Sequence, residues 1–149
     1  MISKIFTTLI LVLIGYMFYK NNSMPSYLGV DDGQLARMPS TPNAVSSQTK
    51  IPEKQVPPIA FDDLATAKSR ALAALKTLGR NEVVTDNGDY VHAVFTTPLM
   101  RFHDDVELYF DADNGVMHYR SQSRTGYSDA GVNRARYDEF VKAFQQTNG

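Results

Sequence analysis

The residue types best equipped for chemistry lie in three clusters. The densest polar run extends from Arg120 to Arg134 and reads RSQSRTGYSDAGVNR. It leaves a strand end, passes a glycine-containing turn and enters a helix start, where backbone amides converge and can hold an anion. Arg124 and Arg134 add positive charge beside Ser123, Ser128, Asp129 and Asn133. Against that stands the ordinary use of Ser128 and Asp129 as helix caps, with the arginines paired to carboxylates. The second cluster is Arg101-Phe102-His103-Asp104-Asp105. Two carboxylates beside an imidazole are the groups of general acid–base work or of metal ligation. Adjacent strand residues point to opposite faces, however, and no recognised ligand spacing is present. The third group is His92 and His118 flanking Tyr109 on the polar face of a sheet, where a metal site or a pH sensor competes with half-exposed sheet residues. No Gly-x-Ser-x-Gly, P-loop, dinucleotide fingerprint or His-Glu-x-x-His motif occurs.

These residues need elements to position them. Asp62 or Asp63 can cap a helix with Phe61 as its staple. Leu64, Ala71, Leu72, Leu75 and Leu78 then share one helical face, and Gly79 closes it. Glu82–Thr85 is a short strand candidate, followed by a turn at Asp86-Asn87-Gly88-Asp89. Tyr90–Thr96 alternates with Val91, Ala93 and Phe95 on one face, and Asp105–Phe110 does so with Val106, Leu108 and Phe110. A second turn at Ala112–Gly115 leads into a strand from Val116 to Arg124. Pairing Asp111 with Val116 puts Leu108 opposite Tyr119, Phe110 opposite Met117 and Glu107 opposite Arg120; a slip by one residue loses both the apolar and the charge match. A meander register also brings His92 beside Tyr109. Tyr137, Phe140, Val141 and Phe144 mark a final helix, capped by Ser128, Asp129 or Asn133. The expected fold class is α+β: a four-stranded antiparallel sheet with an N-terminal and a C-terminal helix on one face.

The chain has 149 residues, of which 15 are Lys or Arg and 16 Asp or Glu, for a net charge of −1. That balance gives no broad basic field and argues against nucleic acid as a partner. The absence of cysteine excludes disulfides, thiol nucleophiles and cysteine-ligated zinc. Residues 1–20 carry an uncharged run from Ile5 to Tyr19 between Lys4 and Lys20. The expectation is a transmembrane anchor with its amino terminus in the cytoplasm, a cleaved signal peptide being the alternative. Residues 21–60 hold six of the seven prolines and read as an extended linker. Residues 61–149 form the globular domain. The expected placement is therefore single-pass in an inner or equivalent membrane, with the domain extracytoplasmic.

Four stretches together resemble the uncharacterised family named domain of unknown function 1499. They are Pro42–Ser47, Tyr90–Ala93, Arg101–Glu107 and, longest, Ser123–Arg134, spanning about Arg37 to Phe144. The resemblance implies a small envelope- or thylakoid-associated protein and carries no assigned activity. Members typically show a Cys-Pro-x-x-Pro-Asn-Cys loop, and Met38 and Ala44 stand at those cysteine positions here. The joint loss implies a structural disulfide in relatives and removes any thiol or metal role for that loop in this chain. The resemblance also suggests that the Asn43–Ser47 loop, with Asn43 and Ser46, lies against the turn from Gly126 to Asn133.

The leading functional reading is a non-enzymatic, membrane-tethered module of the cell envelope, without cofactor or metal. It would bind an envelope protein or a small anionic ligand through Arg101, Asp104, Asp105, Ser123, Arg124, Ser128, Asp129, Asn133 and Arg134, with Asn43 and Ser46. The alternatives are a small hydrolase using Asp104, Asp105 or His103 as acid and base, and a structural subunit of an envelope complex.

Overall fold

A computed structural model describes residues 2–147. Helix α1 (Ile2–Asn22) leads into a small hairpin of β1 (Val30–Asp31) and β2 (Gln34–Leu35). β3 (Ala44–Ser46), a single 3-10 turn (Pro52–Lys54) and β4 (Ile59–Ala60) follow. Then come α2 (Leu64–Leu78), β5 (Asn81–Asn87), β6 (Tyr90–Thr96), β7 (His103–Asp111), β8 (Val116–Ser123) and α3 (Val132–Gln146). The main sheet is antiparallel and six-stranded, in the order β3-β8-β7-β6-β5, with β4 also pairing β8.

The local signals that end and start elements act as their chemistry dictates. The Asp63 carboxylate accepts the Thr66 amide at 2.7 Å and caps α2, satisfying a donor that the first helical turn leaves orphaned. Gly79, at φ +64°, stops the helix in a conformation that a Cβ would strain. The β7–β8 register is the expected one, with Asp111 opposite Val116, Leu108 opposite Tyr119 and Glu107 opposite Arg120. α2 and α3 cover one face of the sheet. Ala67, Ala71 and Leu75 of α2 and Tyr137, Phe140 and Phe144 of α3 close over Val91, Phe95, Val106, Leu108, Phe110 and Tyr119. Arg70 ties the helices together. Its Nη2 donates to the Phe144 carbonyl at 2.7 Å, one of the orphan acceptors at the α3 C-terminus, and its guanidinium lies 4.5 Å from the centre of the Phe144 ring.

Four expectations need correction. The sheet has six strands, not four, because β3 and β4 come from the proline-rich stretch expected as an extended linker. Proline is tolerated there because both strands are short and lie along the edge of β8. Second, the transmembrane helix is not supported, nor is the single-pass, inner-membrane, extracytoplasmic placement built on it. Among the described residues no helix is long and apolar enough to cross a membrane. The uncharged run from Ile5 to Tyr19 rises about 22 Å as a helix, short of a hydrocarbon core of about 30 Å. The polar last turn of α1 is instead spent on the domain. Asn21 Nδ2 donates to the Arg101 carbonyl at 3.0 Å, and Asn21 Oδ1 accepts the His103 amide at 2.8 Å. Third, His92 sits opposite Glu107 rather than beside Tyr109, which pairs with Tyr90. β5 also runs longer than the short candidate, and a bulge between Val83 and Thr85 absorbs its irregular pattern.

The second face of the sheet is polar yet largely covered. Residues following α1 cross it as a strap, held by charge rather than by apolar packing. The Gly29 amide donates to Glu107 Oε1 at 2.9 Å, Arg120 Nε donates to the Ala36 carbonyl at 3.0 Å, and the Arg120 guanidinium lies 4.6 Å from the centre of the Tyr27 ring. Glu107 and Arg120 are paired at 2.8 Å with almost no exposure. Burial raises the Tyr27 hydroxyl to about 12, against a smaller opposing pull from Arg120.

Candidate functional site

Most of the chemistry-bearing residues gather at one end of the sheet. There β6 hands over to β7 through the loop 97–102, and β8 hands over to α3 through the loop 124–131. The two aspartates expected as an acid–base pair are split between the faces of the sheet by strand alternation. Asp104 turns to the helix face, where Arg136 Nη2 donates to it at 2.6 Å. Asp105 turns to the strap face, where Arg124 donates through Nη2 at 2.7 Å and Nε at 2.9 Å, and His92 Nε2 lies at 2.8 Å. Burial alone would raise the Asp105 carboxyl, but the hydrogen bonds from His92 and Arg124 outweigh it and hold the group below the ordinary carboxylate range. Both aspartates are buried, and each is paired with an arginine on its own side of the sheet. Among the described residues no cluster of His, Asp and Glu is placed to hold a metal ion.

The long polar run is used largely as a scaffold. Asp129 Oδ1 accepts the Gly131 amide at 3.0 Å, and Oδ2 accepts the Asn133 amide at 2.9 Å and its side-chain amide at 2.6 Å. This carboxylate therefore fills the anion role at the start of α3 from two residues ahead of Gly131, which itself offers no side-chain cap. Ser128 closes a local turn through the Ala130 amide. Arg134 reaches away from the cluster to the carbonyls of Glu53 and Gln55. Asn133 is the hub. Fully buried, its Nδ2 also donates to the Asn43 carbonyl and the Ser123 hydroxyl, and its Oδ1 accepts from Arg136 and from the Ser121 hydroxyl. The expected contact between the Asn43 loop and the turn before α3 is present, for Asn43 Nδ2 donates to the Gly126 carbonyl at 2.9 Å. Ser46 is buried at the end of β3, its hydroxyl accepting the Gln48 amide and its carbonyl the Val56 amide.

Several residues that shape this end were missed from sequence. Arg136, the partner of Asp104, lies one turn beyond Asn133 on the face of α3 that also carries Tyr137 and Phe140. Its place on an apolar face was the available signal of a buried charge. The loops also enclose a cleft of about 350 Å³ lined mainly by apolar groups, among them Pro98, Leu99, Met100, Phe102 and Val132. Asp104, Ser123 and Thr125 line it from the sheet. Thr125 is only 6% exposed, and its hydroxyl is buried without a hydrogen-bond partner among the described residues. Leu99 and Met100 stand at the rim, 89% and 64% exposed. Ala130, at φ +52°, holds a left-handed conformation that costs a non-glycine residue of order 1 kcal/mol.

On the opposite side of the 97–102 loop a second cleft of about 520 Å³ opens on the strap face. Arg80, Arg101, His103 and Arg124 line it together with Glu82 and Met24. Of the predicted site residues, the structure thus places Asp104, Ser123, Ser128 and Asp129 at one cleft and Arg101 and Arg124 at the other.

No curated protein and no solved structure matches the chain. One family model does, over residues 34–144, and it takes in β2 through most of α3 with both loops. By that match the chain belongs to the family described as Protein of unknown function (DUF1499).

Proposed function

We propose that this domain is a binding module for a small, mainly apolar molecule that carries one hydrogen-bonding group, received in the cleft between the β6–β7 and β8–α3 loops. The observation that carries this reading is the Thr125 hydroxyl, buried and without a partner among the described residues at the wall of a mainly apolar cleft. An unmade hydrogen bond at a buried group costs about 1–3 kcal/mol, and a fold has no stability reason to keep it. An occupant with a hydroxyl, carbonyl or amide recovers that bond while covering Leu99 and Met100. The surrounding asparagine and aspartate network holds the wall rigid, as a preorganised site requires.

The test is a methyl NMR titration with benzyl alcohol as probe, on the wild-type chain and on Thr125→Val. The expected result is saturable shifts confined to Leu99, Met100, Thr125 and Val132. Thr125→Val weakens binding about tenfold, the worth of one hydrogen bond, and raises the melting temperature by removing the orphan hydroxyl. Shifts that fail to saturate, or a valine variant less stable than the parent, would refute the reading.

A further inference from the structure

We propose that the cleft on the strap face is an oxyanion site, built to take a carboxylate or phosphate group between Arg80 and Arg101. Both arginines are exposed on the wall of the same cleft of about 520 Å³. Neither guanidinium makes an ion pair or hydrogen bond among the described residues. Their backbones, by contrast, are pinned. The Arg80 carbonyl accepts the Thr96 amide at 2.9 Å, and the Arg101 carbonyl accepts Asn21 Nδ2 at 3.0 Å. Both hold left-handed conformations, at φ +51° and +52°, that L-residues seldom adopt. The fold therefore pins both backbones at one cleft and gives neither guanidinium an internal partner among the described residues. Free guanidinium groups are the donors best shaped for bidentate pairing with oxyanions.

The rest of the wall fits that occupant. His103 Nδ1 lies 2.9 Å from the Asn21 carbonyl and donates to it, which leaves the Nε2 edge of the ring uncommitted. Arg124 is neutralised by Asp105 and forms wall rather than ligand. Glu82 is the one carboxylate lining the cleft, against the two unpaired guanidinium groups. The whole chain carries a charge of −1, so the positive potential here is local and not part of a general field. This cleft lies across the sheet from the apolar one, and the inference stands apart from the function proposed there.

The experiment is calorimetric titration of the full chain with inorganic phosphate and, separately, with citrate, at ionic strength held constant with chloride. The expected result is saturable binding of at least one anion. Arg80→Ala and Arg101→Ala each weaken it about tenfold, the loss of roughly one charge-assisted hydrogen bond, and Arg101→Lys weakens it less. The two anions separate the sources of the ligand: tighter phosphate points to a phosphorylated molecule, tighter citrate to an organic acid. Thermal melts without anion check that the alanine variants remain folded. Absence of saturation with both anions, or affinities that folded alanine variants leave unchanged, would overturn the proposal.

Discussion

Replacing Arg136 by Met isolates the value of the buried pair beneath the apolar cleft. Arg136 and Asp104 meet at 2.6 Å with side chains 9% and 3% exposed, and Arg136 is the partner of that carboxylate. Methionine fills much of the space but strands Asp104 as an uncompensated charge. Such a loss costs about 3–5 kcal/mol, which at ~3 °C per kcal/mol for a chain of this size lowers the melting temperature by roughly 10–15 °C. Asp104→Leu combined with Arg136→Met removes both charges and should be markedly more stable than the single variant. Urea denaturation compares the wild type with the two variants. A double variant as unstable as the single refutes the argument that a lone buried carboxylate causes the loss.

Asn133→Ala deletes the hub between the Asn43 loop, β8 and α3. It should cost roughly 2–4 kcal/mol, since several buried groups lose their partner at once, and thermal denaturation measures it. Asn21→Ala should free α1 from the β6–β7 loop with little loss in the core, seen as faster hydrogen exchange at the His103 amide while Leu108 and Tyr119 stay protected. His118 carries a pKa lowered from 6.5 chiefly by burial, against a smaller opposite pull from Asp111. A lowered histidine pKa means stability that is full above 6.5 and is lost as pH falls through the folded value. His118→Gln should therefore flatten the melting-temperature profile just below pH 6.5; a profile identical to wild type would show that the ring does not titrate with folding.

Much of this architecture was legible because its causes are local. The capping of α2 by Asp63, the stop at Gly79 and the β7–β8 register each depend on side chains a few positions apart, or on one hairpin whose alternation admits a single pairing. The split between the core side of Val106 and Leu108 and the polar side of Glu107 follows from the same period of two. The proline-rich stretch was misread, and the particular partners of the charged clusters stayed hidden, for one shared reason: those partners lie far away in sequence. Composition alone makes residues 21–60 a linker, but β3 and β4 find an open edge on β8 more than fifty residues downstream. Strand alternation already separates Asp104 from Asp105, but only the fold shows that Arg136 on a later helix takes the one and His92 on an earlier strand the other.

The amino-acid sequence by itself determined α2, α3, the β5–β6 and β7–β8 hairpins and which face of each central strand is apolar, since periodicity and turn chemistry act over a few residues. Only the tertiary structure decided which charges are spent and which are free. Arg120, Arg124 and Arg136 are neutralised by buried carboxylates, whereas Arg80 and Arg101 are left facing a cleft and Thr125 is left without a partner. The physical reason is that a charge or hydroxyl is used up only by what lies within about 3 Å of it, and that neighbour is set by the packing of distant segments.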